Sequence, residues 1–174
     1  MFITPSKQHM VYPHRYINLL LLSLLNLLSD WHCFSFAPIS HLAHTQYPAL
    51  NPELLVSLFL LCNFFSTLAE PLVLHYLGLR LTVVTGSILL TIGSFIKSGI
   101  PYFYINDSSN ECIIFGTILL GLSQPLFQCT PTLNSSVWFA RTERASATAL
   151  ALNANQLGIG LSFLFGGVFI RDGS

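Results

Sequence analysis

Few residues in this 174-residue chain could do chemistry, and they stand where chemistry is expensive. Asp30 and His32 flank Trp31, Glu70 precedes Pro71, Asn155 and Gln156 are neighbours, and Gln124, Gln128 and Asn134 punctuate a run broken by Pro125 and Pro131. All lie inside long apolar stretches, where ionisable groups cost free energy and are candidates for function. Asp30 reads either as an acid lining a path or as one paired with a donor on a neighbouring helix. Glu70 reads as a structural tie to Arg80 or to the charged segment Ala140–Arg144 (ARTER). Trp31 is either an interfacial aromatic or a wall for an organic cation, since indole gives the strongest cation–π attraction. Gln156 is either a polar contact for a solute or glue between helices. Pro125 and Pro131 should kink their helix and free carbonyls that need partners inside the bundle.

Other chemistries find no support. GxSxG, HExxH, Walker A and GxGxxG are absent, as are the paired acids or Ser-His of an intramembrane protease. Asp30 and Glu70 fall at different expected depths, which disfavours a membrane enzyme. His32 beside Cys33 is no haem motif. Cys33, Cys62, Cys112 and Cys129 lack CxxC or CxxH spacing, so neither zinc nor a disulfide framework is indicated. No catalytic residue, metal or cofactor is expected.

The elements that carry these residues follow from composition. Charged residues make up 8% and hydrophobic residues 52%, against roughly 25% charged in an average soluble domain. So few charges cannot cover a water-facing surface, and the lipid bilayer is the expected surroundings. A net charge of zero offers no basic face to nucleic acid. Residues 1–15 form a polar tail with no cleavable signal pattern, and the first apolar run should act as an uncleaved anchor. Five spans are expected, over about Tyr16–Ile39, Leu54–Leu74, Leu81–Ile96, Cys112–Phe139 and Ala145–Ile170, together a 16–170 transmembrane domain with 171–174 as a truncated end. In lipid such runs must be helices, so the fold class is all-α.

Lys7, Arg15, Arg80, Arg141 and Arg144 fall on one side of this map, and Lys97 and Arg171 on the other. The N-terminus is therefore expected in the cytoplasm, of either the plasma membrane or an endomembrane. The loop before the fourth span would face outward. It carries the sequon Asn106-Asp107-Ser108, a candidate glycosylation site. Asn134-Ser135-Ser136 sits at membrane depth and should stay unmodified. Ala, Ser, Thr and Gly crowd the fifth span, which favours close packing.

Three stretches carry a family resemblance: GLRLTVVTGSILLTIGSFIKSG (78–99), SSVWFARTERASATALALNANQLG (135–158) and DWHCFS in the first span. Together they resemble the feline leukaemia virus subgroup C receptor-related transporters of the major facilitator superfamily. The resemblance implies a carrier of two six-helix halves that works by alternating access, with choline, ethanolamine or haem as solute. This chain would be five helices of the N-terminal half, with the C-terminal half as its missing partner. It implies that Trp31 faces a quaternary ammonium and that Gln156 offers a polar contact; Asp30 and Asn155, intramembrane polar residues, are further candidates for lining the path. Glu70, Arg80, Arg141, Glu143 and Arg144 become candidates for a gate or charge cluster. Two positions depart from the superfamily loop pattern: His75 stands where an acid is usual and Leu77 where a base is usual. The alternative is a non-transporting truncated membrane protein. A small carrier that dimerises to complete its pore is a further rival.

Overall fold

A computed structural model describes residues 14–38, 51–98 and 109–171. Residues 1–13 of the tail, Ile39, the loop with Asn106 and residues 172–174 lie outside the described residues. The elements are α1 (His14–Phe34), α2 (Pro52–Lys97), α3 (Ser109–Ser123), α4 (Pro125–Gln128), α5 (Pro131–Trp138) and α6 (Arg144–Arg171). The described chain is all-helical, and four stretches are long and apolar enough to cross a bilayer: His14–Phe34, Pro52–Lys97, Asn110–Trp138 and Arg144–Val168. This tally counts α2 as one stretch.

The start of α2 is set locally. Asn51 accepts the Glu53 backbone N–H on its side chain at 3.0 Å, and Pro52 occupies a first-turn position that needs no N–H. Glu53 in the first turn and Lys97 in the last complement the helix dipole. The 46 residues of α2 would extend about 69 Å if unbroken, more than twice a bilayer core of ~30 Å. They do not, because Gly78 leaves the helix at φ 73°, ψ 165°, a region essentially confined to glycine. Helical residues run up to Leu77 and resume at Leu79. The expected connection over His75–Arg80 is thus narrower than the sequence suggests, a single residue.

Packing shows that the chain reverses there. A methyl group on Gly121 would lie 2.7 Å from the Phe59 carbonyl oxygen, and one on Gly93 would lie 3.2 Å from Leu120 Cγ. Phe59 and Gly93 would be about 51 Å apart along an unbroken helix, yet both meet adjacent residues of α3. The two legs of α2 therefore fold back on each other, with α3 against both.

The expected kinks at Pro125 and Pro131 are present as breaks that divide α3, α4 and α5. Pro131 cannot donate to the Phe127 carbonyl, and Thr130 Oγ1 donates to it instead at 3.0 Å. The Leu122 carbonyl, beside the other break, accepts from Ser66 Oγ at 2.7 Å. Freed backbone groups thus find partners within the bundle.

Helices α1 and α6 run side by side in the same direction, since Arg15 meets Glu143 and Trp31 meets Phe165. The buried stripe Ala147, Ala151, Ala154 and Gly158 makes this close approach possible. The opposite face of α6, with Leu150, Leu157 and Leu164, is exposed, so only one side of the small-residue span is packed. The core is Leu22, Cys33, Phe59, Leu90, Leu120 and Phe127, with a second cluster of Leu19, Phe139, Ala147 and Ala151.

Candidate functional site

Helix α1 buries Leu22, Asn26, Ser29, Asp30 and Cys33 on one face. Their three- and four-residue spacing forms a continuous stripe on a helix. Polar groups in that stripe meet the break between α3 and α4. Gln124, at the break, donates from Nε2 to Asp30 Oδ1 and accepts on Oε1 from Asn63 Nδ2 of α2. Thr67 Oγ1 donates to Asn63 Oδ1 at 3.3 Å. A directional chain of donors therefore runs from the first leg of α2, across the α3–α4 break, to Asp30 on α1. Without Pro125 the helix would run straight, and Gln124 would not stand in a turn.

Other buried polar atoms are without partners. Asn26 and Ser29 are 0% exposed, and both side-chain atoms of Asn26 and the Ser29 hydroxyl are unsatisfied. Asn155 on α6 is buried with Oδ1 unpartnered. Such atoms at membrane depth are costly, and they lie on α1 and on its neighbour α6.

Trp31 is half-buried, its ring 5.2 Å from that of Phe165 at an interplanar angle of 35°. Phe34 and Phe163 repeat the pairing at 6.5 Å. Gln156 is exposed. It lies two residues before Gly158, whose position is against the Leu27 backbone. Trp31 and Gln156 are therefore offset by on the order of 10 Å along the helix axes. Trp31 packs on α6 through Phe165, whereas Gln156 is exposed, on a different face of α6 from the Ala151–Gly158 stripe.

Among the described residues the five charge-cluster candidates form no ion pair with one another. Glu70 is buried with Oε1 unpartnered. Arg80, beyond Gly78, is exposed and lines a cavity of about 570 Å³ with Asn18, Asn134 and Trp138. Arg141 is exposed. Arg144 donates from Nε to the Phe139 carbonyl at 3.1 Å. Glu143 instead pairs with Arg15, at 2.5 Å, and this is the ion pair among the described residues. Arg15 is buried, donates to the Tyr16 hydroxyl at 2.6 Å, and stacks 4.5 Å over the Tyr16 ring and 5.2 Å over the Phe139 ring. Sequence reasoning placed Arg15 at the end of a tail; an arginine one residue inside an apolar helix was the signal to look for its partner.

At the other end of the bundle Lys97 donates to the His32 carbonyl at 2.6 Å and to Ser35 Oγ at 3.4 Å, tying α2 to the end of α1. Among the described residues no three His, Cys, Asp or Glu side chains converge in a way that could hold a metal ion.

No family model matches the chain. Curated proteins do. The Xenopus laevis solute carrier family 49 member 4 homolog is 33% identical over 164 residues, which cover 90% of this chain and 34% of that protein. Solute carrier family 49 member A3 of Danio rerio is 30% identical over 159 residues, 88% of this chain and 33% of the relative. The mouse choline/ethanolamine transporter FLVCR1 is 28% identical over 160 residues, 91% of this chain and 28% of the relative. The chain spans about a third of the length of these relatives, which are transporters and not enzymes. The resemblance carried by DWHCFS, GLRLTVVTG and NQLG thus extends over most of the sequence. With its long apolar helices, the chain is an integral membrane protein homologous to the solute carrier 49 and FLVCR transporters, 26–33% identical over about 90% of its own length.

Proposed function

We propose that this chain forms part of a carrier that moves choline, ethanolamine or a similar small organic cation across a membrane by alternating access. Similarity to choline/ethanolamine transporters over about nine-tenths of the chain is the observation that carries this reading. The break at Gly78 supports five crossings, with α2 supplying two of them. Arg15, Arg80, Arg141 and Arg144 share one end of the bundle, which favours that end in the cytoplasm. The five helices supply one wall of the path, and the part of the relatives that this chain does not span would supply the facing wall.

Trp31, backed by Phe165, presents an aromatic surface to the ammonium group. Gln156 and Asn155 offer amide contacts from α6, and Asp30 supplies the negative charge that a cation attracts. Arg15 and Glu143 hold α1 to the start of α6, and Arg80, Arg141, Arg144 and Glu70 set the charge of the inner end, where a gate would close.

Uptake of labelled choline by cells expressing a carrier that contains this chain tests the assignment. Trp31→Ala and Gln156→Ala should each lower uptake at limiting choline by about tenfold or more, since a desolvated cation–π contact is worth about 2 kcal/mol. Normal uptake by both variants at unchanged surface abundance removes them from the site.

A further inference from the structure

Arg80 stands just beyond the Gly78 reversal, is exposed, and lines the cavity of about 570 Å³ between α1, the second leg of α2 and α5. That volume lies within the range of ligand pockets, roughly 300–1,000 Å³. None of the residues that line it is acidic, and the ion pair among the described residues is Arg15–Glu143. A guanidinium offers five donors and no acceptor. Whatever fills the cavity should therefore bring acceptor oxygens and negative charge.

A second donor points the same way. Asn134 lines the cavity, is 6% exposed, and leaves its Nδ2 without a partner. A buried N–H with no acceptor costs free energy. Trp138, which also lines the cavity, is one turn further along α5, about 6 Å away. The polar wall thus reaches from the end of α5 to a buried amide a turn deeper. The rest of the wall is aliphatic, with Leu21 and Leu25 from α1 and Val83 and Val84 from α2. Leu21 is 53% exposed and Val84 46%, so the cavity opens at membrane depth, where acyl chains lie. Inorganic phosphate would suit Arg80 but would leave the deeper amide and the aliphatic wall unused. A phospholipid carries a phosphate, then ester carbonyls, then acyl chains, in that order.

We propose that this groove binds one anionic phospholipid, with the phosphate on Arg80, an ester carbonyl accepting from Asn134 Nδ2, and an acyl chain along Leu21, Leu25 and Val84. The lipid ties the start of the second leg of α2 to α1 beside the Gly78 reversal. The site is separate from the solute site suggested above. Trp31 is about 20 Å further along α1 than Asn18, which lines the groove, and roughly 140° around the helix from it. By the orientation proposed above, this end lies at the cytoplasmic leaflet, where anionic lipids concentrate; the proposal rests on that reading for its leaflet alone.

The test uses a carrier that contains this chain, held in phosphatidylcholine nanodiscs. The probe is phosphatidylserine with a photoactivatable diazirine on one acyl chain, and labelled positions are read by peptide mass spectrometry. Labelling should gather on Leu21, Leu25 and Val84. Unlabelled phosphatidylserine should compete with it, and added phosphatidylcholine should not. Arg80→Gln should lower labelling there by about tenfold, the scale of one charge-assisted hydrogen bond; Arg80 is exposed, so its replacement leaves the packing intact. Val84→Trp, which fills the aliphatic part and keeps Arg80, should lower it too. Label spread evenly over exposed faces such as Leu150 and Leu157 of α6 overturns the proposal, as does equal competition by phosphatidylcholine. Displacement by inorganic phosphate alone assigns the groove to a free anion and overturns it as well. So does unchanged labelling in both variants, or a Val84→Cys variant that crosslinks to another part of the carrier, which would place a protein segment in the groove. Choline uptake is no part of these readouts, so each failure leaves the transport reading standing, and loss of choline uptake leaves the lipid site standing.

Discussion

Gly158 of α6 lies directly against the backbone carbonyl of Leu27 in α1, so close that even a methyl group at position 158 would overlap it. The contact is backbone to backbone, and no rotamer change can relieve it. Gly158→Ala should therefore push the two helices apart and destabilise the protein by about 1–3 kcal/mol, as overpacking does elsewhere. Thermal unfolding of the purified protein in detergent reads this as a lowered midpoint. Gly160→Ala, which has open space around it, is the control and should leave the midpoint nearly unchanged.

Gly78 makes a different prediction. A side chain there would meet no atom within 4 Å, yet φ is 73°. The cost of Gly78→Ala is then purely conformational, on the order of 1–3 kcal/mol for a non-glycine residue in that region. Lowered thermal stability without altered packing at Gly93 and Gly121 is the expected result, and crosslinking between engineered cysteines across the two legs of α2 reports the packing. An alanine variant as stable as the wild type would mean that the chain does not reverse on this glycine.

The Arg15–Glu143 pair should couple energetically. One partner is nearly buried and the other is 44% exposed on its side chain, which places the pair between a surface ion pair and a buried one. A double-mutant cycle with Arg15→Ala and Glu143→Gln should give a coupling of about 1 kcal/mol. Arg15→Ala should cost more than Glu143→Gln, because it also removes the stacking on Tyr16 and Phe139. Equal costs for the two variants, with no coupling, would reduce the contact to a chance approach.

Local signals were legible in the residues, and long-range pairings were not. Leu-rich and Phe-rich runs announced the helices, because in lipid a backbone must bond to itself. Pro125 and Pro131 announced their breaks, since a missing N–H acts on the residue that carries it. Gly78 lay inside the stretch expected to turn. By contrast, the chain from Asn63 through Gln124 to Asp30 joins residues far apart in sequence, and nothing in the order of residues marks one amide as the partner of another. Arg15 and Glu143 are 128 positions apart, and Glu143 read most naturally as part of the charges next to it. Glu70 was expected to lean on Arg80 or the ARTER charges, and the buried oxygen it leaves unpartnered is visible only in three dimensions. Trp31 and Gln156 took their expected roles from a family resemblance; in the fold Trp31 packs against Phe165 of α6 while Gln156 is exposed.

The central claim, that this chain can serve as the corresponding part of a solute carrier, is tested most directly by exchange. This chain should replace the matching 28% of the mouse choline/ethanolamine transporter FLVCR1, and labelled choline uptake should be measured in cells lacking their own uptake. The chimera should move choline clearly above empty cells, and Trp31→Ala within it should abolish most of that gain. A chimera that reaches the membrane in normal amount and moves no choline contradicts the account.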